Sequence, residues 1–177
     1  MTRDIKWLLL IFLLVCSCKP AINEEQIGQA NYFDIKGYFE TEIARLSKVK
    51  PRIIKSVEVN GVLEKKTVLV TNWKQELSIF SDAEINRVSW KGLFTVSKND
   101  TKQTYLSNNE KVPVKAIEVS LSNGKVNKIL IVIRNANLLY TSVDSLIYVP
   151  NRSYLIKKRQ SIRFFSDKNF LVEGKFR

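Results

Sequence analysis

Two Asn-Gly pairs, Asn60-Gly61 and Asn123-Gly124, constrain the fold of this chain more than any other feature of its sequence. Each pair separates two runs rich in Val, Ile and Leu. The flanking runs are 53–59 and 62–70 for the first pair, and 114–121 and 126–133 for the second. Because Asn-Gly readily adopts the two positive φ angles of a type I′ turn, this pattern predicts two β-hairpins.

The C-terminal half of the chain continues the same β pattern. Further strands are expected at 137–148, 154–165 and 169–176, the last with alternating residues from Phe170 to Phe176, which predicts an antiparallel meander from Thr101 to Arg177. The run Ile129–Ile133 is apolar at every position. That pattern predicts a strand that is covered on both faces.

Two segments before residue 82 have helical patterns. Residues 32–48 carry apolar residues at steps of three and four, at Tyr32, Ile35, Phe39, Ile43 and Leu46. Asn72, with Gln75 three residues later, predicts the capped start of a second, short helix that ends near Ser81 and turns Trp73, Leu77 and Phe80 inward. Residues 82–100 have no pattern that assigns them to a helix or a strand.

Together these elements predict an α+β domain. A long N-terminal helix packs on a curved antiparallel β-sheet, a meander with hairpins, and a short second helix is inserted after the first hairpin. This order of elements resembles periplasmic lipid-carrier folds of the LolA type, and it also resembles cystatin-like and NTF2-like folds. The resemblance lies in element order alone, so it transfers no residues.

The first 18 residues have the pattern of an export signal. Arg3 and Lys6 precede the apolar run 7–15, which is shorter than the roughly 20 residues of a membrane-spanning helix. The following Val15-Cys16-Ser17-Cys18 resembles a bacterial lipobox, with Ser17 as the small residue before the cleavage site. The resemblance implies lipid attachment, including palmitate, at Cys18. Several acyl chains would anchor the protein firmly.

The lipobox, the phrase from Asn31 to Phe39 and the closing segment 154–176 resemble uncharacterised lipoproteins of Bacteroidetes. That resemblance implies an exported, membrane-anchored protein of the cell envelope, with the outer membrane favoured, and it implies no activity. The predicted organisation is a signal peptide at 1–17, a lipidated cysteine with a polar tether at 18–31, and one domain at 32–177.

Several kinds of chemistry are excluded by composition. The chain has no histidine, and its two cysteines, Cys16 and Cys18, both lie at the predicted cleavage region. A cysteine nucleophile, a Ser-His-Asp triad and a histidine-bearing metal site are therefore ruled out for the folded part. Asp82 and Glu84, near a helix end, are interpreted as solvated capping residues. We expect no enzymatic activity, no metal and no cofactor.

A formal net charge of +12 predicts an anionic partner. Residues 151–177 hold eight basic and two acidic residues, and Lys157, Arg159 and Arg163 are the candidate anion or membrane contacts. Since an exported protein rarely meets nucleic acid, an anionic lipid or an envelope protein is the expected partner. Two functions remain open: an accessory or structural protein that docks on an envelope complex, or a carrier of a lipid or other amphiphile in the concave face of the sheet.

Overall fold

The computed structural model describes residues 32–177, so the predicted signal peptide, Cys18 and the tether lie outside the described residues. Residues 31–177 form one compact unit. The helices are α1 (Ile35–Val49), α2 (Trp73–Glu76), α3 (Ser78–Ser81) and a 3-10 turn at Val88–Trp90. The strands are β1 (Arg52–Val59), β2 (Val62–Leu69), β3 (Thr95–Lys98), β4 (Lys102–Leu106), β5 (Val114–Ser122), β6 (Lys125–Ala136), β7 (Tyr140–Val149), β8 (Ser153–Ile162) and β9 (Lys168–Phe176).

The nine strands form one open antiparallel sheet in the order β2-β1-β9-β8-β7-β6-β5-β4-β3. The predicted meander is therefore present from β3 to β9. The β1–β2 hairpin pairs with β9, at the end of the sheet farthest from β3. Consequently the helical segment between β2 and β3 carries the chain from one edge of the sheet to the other.

Both predicted hairpins are confirmed. The φ angles are +49° at Asn60 and +89° at Gly61, and +50° at Asn123 and +72° at Gly124. These are the left-handed conformations that a type I′ turn requires. At the first hairpin the two-residue turn sets the register, which places Val59 opposite Val62 and two lysines, Lys55 and Lys66, opposite each other. Their repulsion is reduced because each lysine has its own carboxylate: Glu76 at 2.6 Å from Lys55, and Glu64 at 3.4 Å from Lys66.

The long helix α1 is confirmed, but it begins at Ile35 rather than Tyr32. Asp34 is its N-cap, and the Asp34 carboxylate accepts a hydrogen bond of 2.8 Å from the Gly37 N–H. A Cβ atom at Gly37 would overlap that carboxylate, which explains a glycine in the first turn. The helix ends where Lys50 takes a φ of +48° and donates its N–H to Leu46.

The second helical segment is confirmed as two single turns, α2 and α3, that meet at Leu77. Asn72 caps it, with its side-chain oxygen 3.0 Å from the Gln75 nitrogen. Trp73, Leu77 and Phe80 are buried, as predicted. However, residues 82–100 add only the 3-10 turn and the four residues of β3. The domain is therefore dominated by its sheet and lies closer to all-β than to the α+β class predicted from the sequence.

One face of the sheet, the core face, carries the hydrophobic core. The strand residues of this face pack against α1, α2 and α3. Many of these strand residues are fully buried. These strand residues are Ile53, Tyr105, Ile117, Val119, Ile129, Ile131, Leu146, Tyr148 and Tyr154. The helices contribute Ile35, Phe39, Leu46, Trp73, Leu77 and Phe80. The space between helices and sheet is therefore filled by the protein's own side chains.

The opposite face, the outer face, is not part of this core. Leu130 and Val132, whose side chains alternate with those of Ile129 and Ile131, remain partly exposed. The expectation that β6 is covered on both faces is therefore wrong for the described residues. The cause is topological: the described helices all contribute to the core on a single face of the sheet.

Helix α1 is linked to the sheet by a buried carboxylate. Glu42, which is 9% exposed, accepts two hydrogen bonds from Arg45, at 2.9 and 2.8 Å, and one from the Tyr148 hydroxyl at 2.5 Å. Burial would raise the pKa of Glu42, but these hydrogen bonds outweigh it and hold the pKa below its ordinary value of 4.5. Burial and the bond to Glu42 both raise the pKa of Tyr148.

A second carboxylate links α2 to the sheet. Glu76 accepts a hydrogen bond from the Tyr154 hydroxyl and forms the ion pair with Lys55. Tyr154 lies beside Gly174 in the neighbouring strand. A Cβ atom at Gly174 would overlap the Tyr154 ring, so only glycine leaves room for this ring to reach Glu76.

Candidate membrane-contact site

The predicted cations follow the second half of strand β8: Lys157 lies near its middle, Arg159 lies toward its C-terminal end, and Arg163 follows it. Lys157 and Arg159 share the outer face, where Lys157 is flanked by Ser145 and Leu171. Lys158 points to the core face and forms an ion pair with the buried Asp144, 3.4 Å away. The alternation expected within this strand is therefore present, and Lys158 has a structural role.

The three candidate residues differ in their partners. Arg159 forms an ion pair of 3.2 Å with Asp167, and the hydrogen bonds from Ser161 and Arg159 lower the pKa of the Asp167 carboxyl. Lys157 and Arg163 form no ion pair with any described residue. Arg163 lies past the end of β8, with its guanidinium carbon 5.1 Å from the centre of the Phe164 ring. Of the three candidates, Lys157 and Arg163 are therefore the two whose positive charge is not paired with a described carboxylate.

Two exposed apolar turns lie next to Arg163. In the β6–β7 turn, the Asn137 side-chain oxygen accepts hydrogen bonds from the N–H groups of Leu139 and Tyr140, at 2.8 and 2.9 Å. This closed turn directs the side chains of Leu138 and Leu139 into solvent, where they are 82% and 65% exposed. The Arg163 N–H donates to the Leu139 carbonyl at 2.9 Å, which joins this turn to the next one.

The β8–β9 turn presents two aromatic rings. Phe164 is 88% exposed and Phe165 is 74% exposed. Phe165 donates its N–H to the Ile162 carbonyl at 3.0 Å, and Phe164 has a φ of +70°. A bulky residue in the left-handed region is unusual and costs free energy. We call Leu138, Leu139, Phe164 and Phe165 the apolar end of the sheet.

Strand direction places further residues at this end. Because β1 ends where β9 begins, the β1–β2 turn, with Val62 71% exposed and Leu63 60% exposed, lies at the same end of the sheet. Arg134 and Arg159 flank Val143 in an outer-face row, one row further from the turns than Ala136, Thr141 and Ser161. Four exposed cations lie within a few residues, along the chain, of the β6–β7 or β8–β9 turn: Arg134, Arg159, Arg163 and Lys168.

Two surface grooves offer a different kind of site. One, of about 690 Å³, runs beside α1 and includes Lys36, Glu40, Asp82 and Glu84 in its lining. The other, of about 860 Å³, lies beside β4 and β5. Both have many charged or polar lining residues, which does not suit an acyl chain. Within the first groove, Glu84 accepts a hydrogen bond from the Asn86 N–H, which is a structural contact.

Comparisons with known proteins add no functional assignment: no protein family model, no curated protein and no solved structure matches this chain. Within residues 32–177, no group of three or more acidic side chains is placed to hold a metal ion. No helix among the same residues has the length and apolar character needed to cross a membrane.

The sequence analysis predicted the cations of this site but did not predict its apolar end. A signal for it was present, since Leu138-Leu139 follows Asn137 and Phe164-Phe165 precedes Ser166 and Asp167, so that two apolar pairs occupy positions where turns are normally polar. Their proximity was not visible in the sequence because Leu139 and Arg163, which the fold joins by a hydrogen bond, are 24 positions apart.

Proposed function

We propose that this protein is an exported lipoprotein of the cell envelope, anchored through Cys18, whose folded domain has an accessory role and docks on an anionic envelope surface. The observation that supports docking most strongly is the grouping of Leu138, Leu139, Phe164 and Phe165 beside four exposed cations, over a core that is already filled. A carrier needs an apolar cavity for its ligand, whereas helices α1 to α3 occupy the core face of this sheet.

The proposal assigns no catalytic step to the domain. An anionic surface is the partner that its charge favours, because a net charge of +12 attracts anions over a range of about 8 Å at physiological salt. Each Lys or Arg close to an anionic bilayer contributes about 1 kcal/mol of binding. Several cations at one end of the sheet would therefore hold the domain at the anionic surface and also set its orientation there.

Replacing Cys18 by alanine tests the anchor. In cells that express the full chain, the substitution is expected to abolish palmitate labelling and to shift the protein from the membrane fraction to the soluble fraction, because the thiol that carries the lipid is lost. The matched control is Cys16→Ala, which leaves labelling unchanged. Persistence of the label in the Cys18 variant, or its loss in the Cys16 variant, contradicts the assignment of the lipid to Cys18.

Changing the three predicted contacts Lys157, Arg159 and Arg163 together to glutamine tests whether the cations on and beside strand β8 take part in docking. Residues 19–177 retain the whole compact unit. We expect this chain to co-sediment with phosphatidylglycerol-containing vesicles at low salt, to be released by high salt, and not to bind pure phosphatidylcholine. The triple substitution is expected to weaken binding about tenfold or more, since each cation contributes about 1 kcal/mol.

The control for that experiment removes the same charge elsewhere. Lys48, Lys74 and Lys91 are exposed and lie outside the sheet. Changing these three to glutamine is expected to weaken binding much less. Equal losses in the two variants would mean that binding follows net charge without a defined surface, and a chain that does not bind anionic vesicles at low salt would rule out the docking proposal.

A further inference from the structure

We propose, on the basis of the proposed docking function, that the apolar end enters an anionic bilayer, with Leu138, Leu139, Phe164 and Phe165 at the boundary between headgroups and acyl chains. Four large apolar side chains between 65% and 88% exposed are grouped in two adjoining turns. Single exposed apolar residues are common on soluble proteins, but a contiguous group of this kind marks a contact surface.

Several backbone N–H groups of the two turns already have hydrogen-bond partners inside the protein, which favours transfer into a medium that offers few such partners. The N–H groups of Leu139, Tyr140, Arg163 and Phe165 are all bonded within the turns or between them. Transferring an unbonded N–H group out of water is costly, and these four groups avoid that cost.

The conformation of Phe164 points to the same role. Its φ of +70° suits glycine or asparagine better than phenylalanine, and its ring is 88% exposed in the absence of a partner. The residue therefore contributes little to the stability of the isolated domain. Residues held in such sparsely populated backbone conformations cluster at functional sites.

The charge around the apolar end selects a bilayer as the partner. Arg134, Arg159, Arg163 and Lys168 are exposed and lie within a few residues of its two turns along the chain, and the Arg163 guanidinium lies over the Phe164 ring. At a membrane surface, apolar and aromatic side chains lie at the acyl boundary while Arg and Lys reach the phosphates. The predicted orientation therefore places the sheet end-on, with the turns toward the bilayer.

An environment-sensitive label tests the depth of the turns. Residues 19–177 contain no cysteine, so one introduced cysteine can carry an NBD fluorophore. We expect the label at Phe164→Cys to shift to the blue on phosphatidylglycerol-containing vesicles and to be quenched by spin-labelled acyl chains. The control is Val88→Cys, which is 87% exposed in the 3-10 turn and is expected to show neither effect.

The outcomes separate this inference from the proposed function. If the labelled chain co-sediments with the vesicles while the label at position 164 behaves like the label at position 88, docking stands and insertion is overturned. If the chain does not bind anionic vesicles at all, the proposed function fails as well. Binding that is equally strong to pure phosphatidylcholine would also overturn the requirement for an anionic lipid.

A substitution at Phe164 tests whether the ring serves binding or folding. Asparagine tolerates a positive φ, so Phe164→Asn is expected to leave the thermal unfolding midpoint unchanged or raised, while vesicle affinity falls about tenfold. Val88→Asn is expected to change neither property. An unchanged affinity in the Phe164 variant, or a lowered unfolding midpoint, would overturn the proposed role of this ring.

Discussion

Replacing Glu42 by alanine is expected to lower the free energy of unfolding by about 3 kcal/mol, because it leaves partners of a buried carboxylate unpaired. The Tyr148 hydroxyl is buried and loses its acceptor, and Arg45 loses both of its hydrogen bonds. Since the Arg45 side chain is 35% exposed, it can turn to water, which keeps the loss at the lower end of the usual range. Urea unfolding at neutral pH measures the change.

Glu40 supplies the matched control on the same helix. Its ion pair with Lys36 spans 4.0 Å, and both side chains are more than 60% exposed, so Glu40→Ala is expected to change the stability by less than about 0.5 kcal/mol. A loss at position 42 no larger than the loss at position 40 would contradict the structural importance of this buried carboxylate.

The same carboxylate makes stability depend on pH in a defined direction. The pKa of Glu42 is lower in the folded protein than its ordinary value of 4.5, so the folded state binds fewer protons. This contribution to stability is fully present above the unfolded-state pKa and is lost as the pH falls through the folded-state pKa. Unfolding curves measured at acidic pH should therefore show a steeper loss of stability for the original protein than for Glu42→Ala.

Replacing Gly174 by alanine is expected to destabilise the domain by about 3 kcal/mol. The added Cβ would overlap the ring of Tyr154, which is fully buried and held by its hydrogen bond to Glu76. Overpacking a filled core typically costs 1–3 kcal/mol, and here the neighbouring strand backbone limits relaxation. Thermal and urea unfolding measure the effect.

A double substitution identifies the cause of that loss. Tyr154→Leu removes the ring, so Gly174→Ala should cost much less in this background than in the original protein, and the two changes should be strongly non-additive. Gly124→Ala is a useful comparison, since nothing lies within 4 Å of a Cβ there and only its φ of +72° is unfavourable. Additive costs at positions 154 and 174 would show that the ring contact is not responsible.

Local structure was the most predictable part of the fold. The Asn-Gly turns, the register of β1 with β2 and the caps at Asp34 and Asn72 depend on residues within a few positions of each other. In such cases the backbone preference of a residue and the bond it makes are properties of one short segment. The α+β expectation holds only in part at a larger scale: the long N-terminal helix is present, but the nine-stranded sheet dominates and brings the domain closer to all-β.

One part of the candidate site could be predicted from the sequence and another part could not. Alternation along a strand is a property of the sequence, so the shared face of Lys157 and Arg159 followed from their spacing. The location of Arg163 beside Leu139 did not, because it results from the pairing of β7 with β8 and from the length of the two turns.

The sequence by itself determined where this chain turns, which segments alternate, that its folded part has no histidine or cysteine, and that its charge favours an anionic partner. Only the tertiary structure decided that β1 pairs with β9, that a single face of the sheet carries the core, and that two apolar turns meet beside four cations. The physical reason is distance along the chain. Contacts between distant segments are selected by the packing of the whole sheet, and no short pattern of residues encodes them.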